Sequence, residues 1–372
     1  MLHFAVLSVL PLLALVGVAR GETKLVDDAE CDCFLINGTV PTYYTKHMFL
    51  DFRSLSEYAG VPSIIKTSEG AASASASSDY FTHDNWTDIW SIQTWNNIND
   101  DGDGLSGDAS YIMANSKSNI YIENNKDEDA ASDTYLTLRT RRLPGFQTAV
   151  EFQSTPGNFR YVSMRMLART VGAAGAVTGM FTYRDSTGKL ADIQESDIEI
   201  LTRGPKDKIQ YTNQPSYTDD GGEIPRATRN ATTPDWSNWV VHRLDWTPDV
   251  VQWYVDGERT ARIEFQTPKD ACDLHFSAWS DGGSWSGNMS MNHEARQEIQ
   301  WIEMVYNITD KNVYRRDDKT KCNSVCSIDD TTTAGRAAML WDNAAASVTL
   351  DRGSVWTIAL ALGVAVWIQL WV

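Results

Sequence analysis

The sequence of 372 residues is short of positive charge: 32 Lys and Arg stand against 49 Asp and Glu, a formal net charge of −17. Nucleic-acid binding needs a cationic face, so this deficit excludes nucleic acid as the default partner. It also argues against electrostatic docking on anionic lipid. A chain of this length can bury one large core or two small ones. A neutral or cationic ligand remains open.

Cysteine and histidine are also scarce, with 5 and 6 residues. Cys31 and Cys33 lie near one end of the chain, Cys322 and Cys326 near the other, and Cys272 stands apart. This spacing favours disulfides that staple the two ends, with Cys272 left over and the connectivity open. A zinc site is the alternative, but no His lies near either pair, so we expect no metal there.

Long apolar runs occur only at the two ends. Residues 4–18 form one run, followed by small residues, and we interpret 1–21 as a secretory signal peptide. The uncharged run 355–372 has no Lys or Arg after it and follows a spacer and small residues that begin at Asn343. This order predicts a GPI-type lipid anchor on Asn343, with 344–372 removed. A tail-anchored helix is the alternative.

Secretion agrees with five glycosylation sequons of the form Asn-x-Ser/Thr, at Asn37, Asn85, Asn230, Asn288 and Asn307. Each sequon alone is a weak signal, but five in one chain exceed what a cytosolic protein would show. We therefore expect a secreted glycoprotein that is held at the cell surface, in the membrane or the cell wall, only through its lipid anchor.

The middle of the chain lacks long amphipathic helices and internal repeats. After the small-residue tract 70–78, short runs with alternating polarity are separated by turn residues up to residue 310. They include 135–140, 160–169, 176–183 and a hairpin over 239–255. This pattern predicts an all-β fold, an antiparallel sandwich or jelly roll with one face curved into a groove.

Three carboxylates share one predicted strand, 193–200. Side chains alternate along a strand, so Glu195, Asp197 and Glu199 lie on one face and Ser196, Ile198 and Ile200 on the other. Like charges in line repel, which gives such a strand a cost. The alternatives to a catalytic role are a solvated acidic strand and a calcium-binding face.

A retaining glycosidase needs such a set of acids. One carboxylate attacks the anomeric carbon while a second protonates the leaving oxygen, and the two stand roughly 5–5.5 Å apart. Strand positions i and i+4 are roughly 13 Å apart between Cα atoms. Long Glu side chains close that gap only on a strongly bent strand, so this interpretation requires a curved sheet.

The segment Glu195-Ser-Asp-Ile-Glu199 resembles the E-x-D-x-E signature of glycoside hydrolase family 16. Segments 175–183 and 209–213 resemble the strands that flank the signature, and 239–257 resembles the family's later hairpin. The resemblance covers roughly residues 80–308 and implies a concanavalin-like β-jelly roll with a glucan-binding cleft on its concave sheet. Residues 22–80 match no family element, so the resemblance does not extend to them.

By motif position, the resemblance implies that Glu195 is the nucleophile, Asp197 the assisting acid and Glu199 the general acid/base. It implies retention through a glycosyl-enzyme intermediate and action within β-glucan chains. Surface-anchored fungal members transfer the cut chain to glucan or chitin, so both are expected partners of a fungal-type enzyme, which we expect to be a monomer.

This interpretation divides the chain into five parts. They are a signal peptide (1–21), an N-terminal extension with an Ala/Ser-rich loop (22–79), a catalytic domain (80–310), a polar Cys-containing stalk (311–343) and the anchor signal (344–372).

Further candidates for substrate binding are aromatic or polar. Trp279 and Trp285 lie in a Gly/Ser-rich segment, and Trp95 lies among polar residues. Each is predicted to stack on a sugar, with core packing as the alternative. Tyr211 and Asn213 would face the cleft if their strand runs beside 195–199.

Two other residue sets have weaker claims to function. His242 is predicted to line the cleft, with a hydrogen-bonded strand histidine as the alternative. The loop 99–108 resembles a calcium loop but begins with Asn and has Ser110 at position twelve. We favour an acidic turn there and expect no cofactor, with structural calcium as the alternative.

The sequence therefore predicts a surface-anchored β-glucan hydrolase or transglycosylase. The alternative is a non-catalytic carbohydrate-binding protein on the same fold. A lectin would have no need of Glu195 and Glu199 together, which favours the enzyme. An anchored enzyme acting on wall polymers gains little by dissolving them, which favours transfer over hydrolysis.

Overall fold

A computed structural model describes residues 24–38, 41–99, 102–155, 157–186, 188–309 and 322–342. The predicted signal peptide, the anchor residue Asn343 and the segment 344–372 lie outside these ranges. Within them, no helix combines the length and the apolar content needed to cross a membrane.

Strands dominate the described ranges, as the alternating pattern predicted. In chain order they are β1 (Leu25–Val26), β2 (Cys33–Leu35), β3 (Tyr43–Tyr44), β4 (Lys46–Asp51), β5 (Trp90–Ile92), β6 (Ile112–Asn115), β7 (Ile120–Asn124), β8 (Thr134–Leu143), β9 (Phe146–Ser154), β10 (Phe159–Gly172), β11 (Val177–Arg184), β12 (Gln194–Leu201), β13 (Lys208–Gln214), β14 (Thr228–Thr232), β15 (Val240–Trp246), β16 (Val251–Val255), β17 (Glu258–Ile263), β18 (Asp273–Trp279), β19 (Glu294–Ile308), β20 (Ser324–Ser327) and β21 (Ala337–Asp342). The helical elements are short: α1 (Ser68–Ala72), α2 (Asp84–Thr87) and 3₁₀ turns at Asp28–Glu30, Ser56–Tyr58, Asp79–Thr82, Lys117–Asn119, Leu190–Asp192 and Pro225–Ala227.

Two large sheets form a sandwich. The first, the cleft sheet, has the order β14-β13-β12-β11-β18-β9-β5, and the second, the back sheet, has the order β7-β8-β19-β10-β15-β16-β17. Strands β8 and β9 pair with each other and join the two sheets, while β4 extends the back sheet beside β19. All pairs in these two orders are antiparallel, so the predicted all-β sandwich is confirmed.

The main core lies between these sheets and follows the alternation of each strand. Ile198 on β12 and Phe276 on β18 point into it from the cleft sheet, while Met164 on β10 and Trp253 on β16 meet them from the back sheet. Phe152 stacks on Phe276, with ring centroids 4.8 Å apart. Burial of one face of each strand leaves the other face free to carry polar groups.

A third, smaller sheet joins the two ends of the described chain. This terminal sheet has the order β1-β21-β20-β2-β3 and packs on the outer face of the back sheet, where its apolar side chains meet Val305 of β19. Disulfides Cys31–Cys326 and Cys33–Cys322 hold it together, and Cys272 is free and buried. The predicted staple between the two ends is confirmed.

Two of the expected segments carry strands that the sequence did not predict. The segment 311–343 was predicted to be a polar stalk, but its described part, 322–342, folds as β20 and β21 of the terminal sheet. The described part of the segment 22–79 supplies β1, β2 and β3 of the terminal sheet and β4 of the back sheet. The polar composition of these segments did not predict the terminal sheet, because its strands come from opposite ends of the chain. The cysteines of its two disulfides are 289 and 295 residues apart.

Candidate active site

Strand β12 presents three carboxylates on the outer face of the cleft sheet. Ile198 and Ile200 are each 1% exposed and face the core, so Glu195, Asp197 and Glu199 face outward. The strand is paired on both sides, with β11 and β13, which holds its register and therefore its faces. The predicted alignment of the three acids is present in the structure.

The strands beside β12 shape the floor around these acids. In register on β11, Tyr183 lies opposite Glu195, Phe181 opposite Asp197 and Gly179 opposite Glu199. A Cβ atom added at Gly179 would lie 3.3 Å from the Ser277 Oγ atom. The absence of a side chain at position 179 therefore keeps the floor open beside Glu199.

Two adjoining pockets form a groove across the cleft sheet. The first pocket has a volume of about 280 Å³ and contains all three carboxylates. Its lining is Trp95, Met113, Asn115, Val150, Glu151, Val177, Gly179, Phe181, Glu195, Asp197, Glu199, Ser277 and Trp279.

The second pocket, of about 440 Å³, reaches the edge strand β14. Its lining is Glu199, Gln210, Gln214, Ser216, Tyr217, Glu223, Ile224, Pro225, Thr228, Asn230, Ser284 and Trp285. Glu199 belongs to both pockets, so it stands where they meet.

The three predicted tryptophans all border this groove. Trp95, which is 44% exposed, and Trp279 line the first pocket, whereas Trp285 lines the second. The Trp285 Nε1–H donates a hydrogen bond of 3.0 Å to the Glu199 Oε1 atom. Trp285 therefore acts on the chemistry of Glu199 as well as on the shape of the groove, while sugar stacking by the three rings stays a prediction.

Burial raises the pKa of all three carboxyl groups. Desolvation raises the pKa of Glu195 to about 7, and the negative charges of Glu199 and Glu151 add to that effect. Desolvation also raises the pKa of Glu199 to about 7, although the hydrogen bond from Trp285 opposes the rise. At neutral pH, each glutamate is therefore poised between its acid and its carboxylate form.

Asp197 lies between the two glutamates and is only 3% exposed. Desolvation, and then the charges of Glu195 and Glu199, raise its pKa well above the ordinary value. No donor among the described residues reaches either of its oxygens, so its hydrogen bond with Glu195 requires a shared proton. Asp197 is therefore the protonated partner and donates to Glu195, which helps to keep Glu195 ionised.

The sequence analysis missed a fourth acid in the groove. Glu151 on β9 lines the first pocket, and its Oε1 atom is 2.9 Å from the Nδ1 atom of His275 on β18. The His275 ring stacks on Phe181, with centroids 4.8 Å apart. The alternation of β9 and β18 could have placed each residue on a polar face, but only the pairing of the strands shows that they meet.

The predicted cleft positions of Tyr211 and Asn213 are wrong. Asp197 pairs with Thr212, so the cleft face of β13 carries Gln210, Thr212 and Gln214. Tyr211 is buried in the core and Asn213 donates to a backbone carbonyl beneath the sheet. The expected register was off by one residue, and a slip of one residue exchanges the two faces of a strand.

The predicted cleft position of His242 is also wrong. It lies on β15 of the back sheet, opposite Met166 and Val255, and its side chain is fully buried between the sheets. Neither ring nitrogen has a hydrogen-bond partner in the described ranges, and burial lowers its pKa to about 4. His242 is therefore a neutral core residue, not the hydrogen-bonded strand histidine that was the alternative.

The described ranges contain no group of three or more His, Cys, Asp or Glu side chains arranged to hold a metal ion. The calcium-like loop 99–108 is described apart from residues 100 and 101.

Paired carboxylates on the floor of a long groove, bordered by tryptophans, define a protein of the glycosidase class. A sequence profile of the family Glycosyl hydrolases family 16 matches residues 109–303, more than half of the chain. The chain belongs to this family. The matched range begins after β3 and ends within β19, so all five strands of the terminal sheet lie outside it.

Two curated relatives are named β-glucanases. The β-glucanase of Paenibacillus polymyxa is 25% identical over 161 residues, 42% of this chain and 64% of that protein. The β-glucanase of Fibrobacter succinogenes is 25% identical over 159 residues, 40% of this chain and 44% of that protein. The matched segment thus spans less than two thirds of each. The solved structure of Bacillus licheniformis β-glucanase has a TM-score of 0.46 at 19% identity, over 60% of this chain and 94% of that chain.

Proposed function

We propose that the protein is a retaining, endo-acting glycosidase that cuts β-glucan chains and passes the cut chain to water or to another sugar. The observation that carries the proposal is the row Glu195, Asp197 and Glu199 in the first pocket, with Glu199 at its junction with the second. Family membership and the β-glucanase names of the relatives support β-glucan as the substrate class.

In the first step, the Glu195 carboxylate attacks the anomeric carbon while Glu199 donates its proton to the leaving oxygen. The glycosidic bond breaks and an ester bond forms between the sugar and Glu195. In the second step, Glu199 takes a proton from an incoming hydroxyl, which attacks the same carbon and releases Glu195. Pairing of Asp197 with Glu195 supports the nucleophile in its ionised form.

The length of the groove supports internal cleavage. The first pocket reaches Glu151 on β9 and the second reaches Asn230 on β14, so sugars can bind on both sides of the cut bond. Water and a sugar hydroxyl compete for the same intermediate. Release of soluble sugar brings little benefit to an enzyme fixed at a cell wall, which favours transfer to glucan or chitin.

The anchor proposal is compatible with this geometry. Strand β21 ends at Asp342 in the terminal sheet, which packs on the back sheet, while the groove lies on the outer face of the cleft sheet. A lipid anchor on Asn343 would thus hold the groove away from the membrane and toward the wall polymers.

The test uses the full-length chain, secreted from a eukaryotic host and incubated with soluble β-1,3-, β-1,4- and mixed-linkage glucans. Fluorescent glucan and chitin oligosaccharides serve as acceptors. Glu195→Gln is compared with Glu258→Gln, a matched change at an exposed residue of β17. Shorter products alone indicate hydrolysis, and label in polymer indicates transfer. If wild type and Glu195→Gln both bind glucan and neither changes it, the protein is a lectin and the proposal is wrong.

A further inference from the structure

One predicted glycosylation sequon lies inside the groove. Asn230 is the middle residue of the edge strand β14 and lines the second pocket together with Glu199 and Trp285. Its side chain is exposed, and it makes no side-chain hydrogen bond within the described part of the chain. Asn85, by contrast, is exposed on α2 and lines neither pocket.

Strand register fixes the direction of the Asn230 side chain. Glu199 pairs with Gln210 on β13, and Gln210 pairs with Asn230 on β14. Paired residues of neighbouring strands point to the same face, so Asn230 points to the face of the catalytic row. Two strand spacings of about 4.8 Å each place its Cα about 10 Å from that of Glu199.

The second pocket lies on the leaving-group side of the cut bond. The attacked sugar must contact Glu195, which lines only the first pocket, while the leaving oxygen must contact Glu199, which lines both. The sugars that depart, and the acceptor that arrives, therefore occupy the second pocket. This assignment rests on the catalytic roles proposed above.

We propose that the sequon Asn230-Ala-Thr232 carries an N-linked glycan that lies in the second pocket and limits the length of the leaving group and of the acceptor. The Asn230 Nδ2 atom loses one proton and forms a C–N bond with the first N-acetylglucosamine of a lipid-linked oligosaccharide. The lipid pyrophosphate is the leaving group.

Such a glycan would change which sugars the second pocket prefers. It would compete with a long leaving group or a long acceptor for that pocket but leave room for a short one beside Glu199. The glycosylated protein would therefore release short leaving groups faster than long ones and prefer short acceptors. Removal of the glycan would shift the same site toward long leaving groups and long acceptors.

The experiment separates the glycan from the amide that carries it. Thr232→Val removes the sequon and retains Asn230, Thr232→Ser keeps the sequon, and Asn230→Gln removes both glycan and asparagine. Asn85→Gln is the matched control at a sequon outside the groove. Peptide mass spectrometry measures occupancy of Asn230, and defined oligosaccharides measure kcat/KM for long and short leaving groups.

We expect Asn230 to be occupied in wild type and in Thr232→Ser. Thr232→Val and Asn230→Gln should both raise the long-to-short ratio of kcat/KM about tenfold, equivalent to about 1.4 kcal/mol, and Asn85→Gln should leave it unchanged. An unoccupied Asn230 would overturn the proposal. So would an unchanged ratio, which would place the glycan over the hollow on the outer edge of β14 instead.

A measurement without substrate distinguishes this proposal from failure of the glycosidase proposal. N-bromosuccinimide oxidises accessible tryptophans, and peptide mapping reports Trp285 in the second pocket and Trp95 in the first. Thr232→Val should speed oxidation of Trp285 and leave the rate for Trp95 unchanged. Equal rates for Trp285 with and without the glycan would contradict the proposal even if glucan cleavage is confirmed.

Discussion

Two clusters of wholly or partly buried carboxylates in this protein differ in their partners. The cleft carboxylates, Glu195, Asp197 and Glu199, form no ion pair with any Lys or Arg in the described ranges. The second set, the ion-pair cluster, lies between the back sheet and the terminal sheet. There, Asp329 binds Arg165 at 2.7 Å and Arg243 at 2.9 Å, and Arg243 also binds Asp245.

Opposite pKa shifts result from this difference. Burial raises the pKa of Asp329, but the two arginines and the Asn37 N–H outweigh burial and leave it below the ordinary value. In the cleft, nothing opposes desolvation except single hydrogen bonds, and the pKa values of both glutamates rise to about 7. Burial alone thus does not decide protonation; the sign of the neighbouring charge does.

The largest test of the comparison removes an acid from the cleft. Glu195→Gln keeps the shape of the groove but deletes the proposed nucleophile, so kcat/KM on β-glucan should fall about 10⁴-fold or more. The free energy of unfolding should not fall, because a repelling charge is removed. Initial rates of reducing-end release and urea unfolding at pH 7 measure the two effects. A variant within tenfold of wild type would place the chemistry on another residue.

The matching test removes an acid from the ion-pair cluster. Asp329→Asn leaves two buried guanidinium groups short of a carboxylate, which should lower the free energy of unfolding by about 3–5 kcal/mol. The activity per folded molecule should stay unchanged, because the cluster is on the other side of the sandwich. Urea unfolding is compared with Asp330→Asn, an exposed neighbour. A loss of less than 1 kcal/mol would mean that water reaches the arginines.

A third test uses the pH dependence of the free energy of unfolding at His47, a buried base with two carboxylate partners. Its ring bonds Asp28 at 2.8 Å and Glu303 at 3.1 Å, and although burial opposes it, these carboxylates raise its pKa from 6.5 to about 9. The folded state therefore binds the proton more tightly, so this stabilisation is complete below pH 6.5 and is lost as pH rises to about 9. His47→Gln should remove up to about 3 kcal/mol at pH 6 but little at pH 9.5. Equal losses at both pH values would show that the effect is packing rather than charge.

The smallest expected effect concerns one hydrogen bond to Glu199. The Trp285 N–H stabilises the Glu199 carboxylate, so Trp285→Phe should raise the pKa of Glu199 further. The alkaline limb of kcat/KM, where the acid loses its proton, should move up by about half to one pH unit. Trp279→Phe, which changes the same groove without touching Glu199, is the control. If the alkaline limb stays in place, a group other than Glu199 sets it.

Local pattern predicted the strands well and the distant pairings poorly. The alternation of 193–200 placed Glu195, Asp197 and Glu199 on one face because the period of two is a property of the strand itself. The positions of Tyr211 and Asn213 failed because the register between strands is not written in either strand alone. His242 failed for a related reason, since its strand lies in the other sheet.

Long-range pairing decided the features that local pattern could not show. The segment 322–342 looks polar and irregular along the chain, yet it pairs with β1 and β2 at the other end. Glu151 and His275 are 124 residues apart and meet only because β9 and β18 are neighbours. Asn230 enters the groove through two successive strand pairs, which no sequon reveals.

The sequence by itself determined the strands, the row of three carboxylates on β12, the stapling of the two ends and the family, because each is carried by residues close together or by residue type. Tertiary structure alone decided which side chains face the groove beside that row and which acids have cationic partners. Those properties depend on register and burial between distant strands. The same three carboxylates would titrate near their ordinary values on an exposed strand; only the surrounding sheet raises their pKa values toward 7.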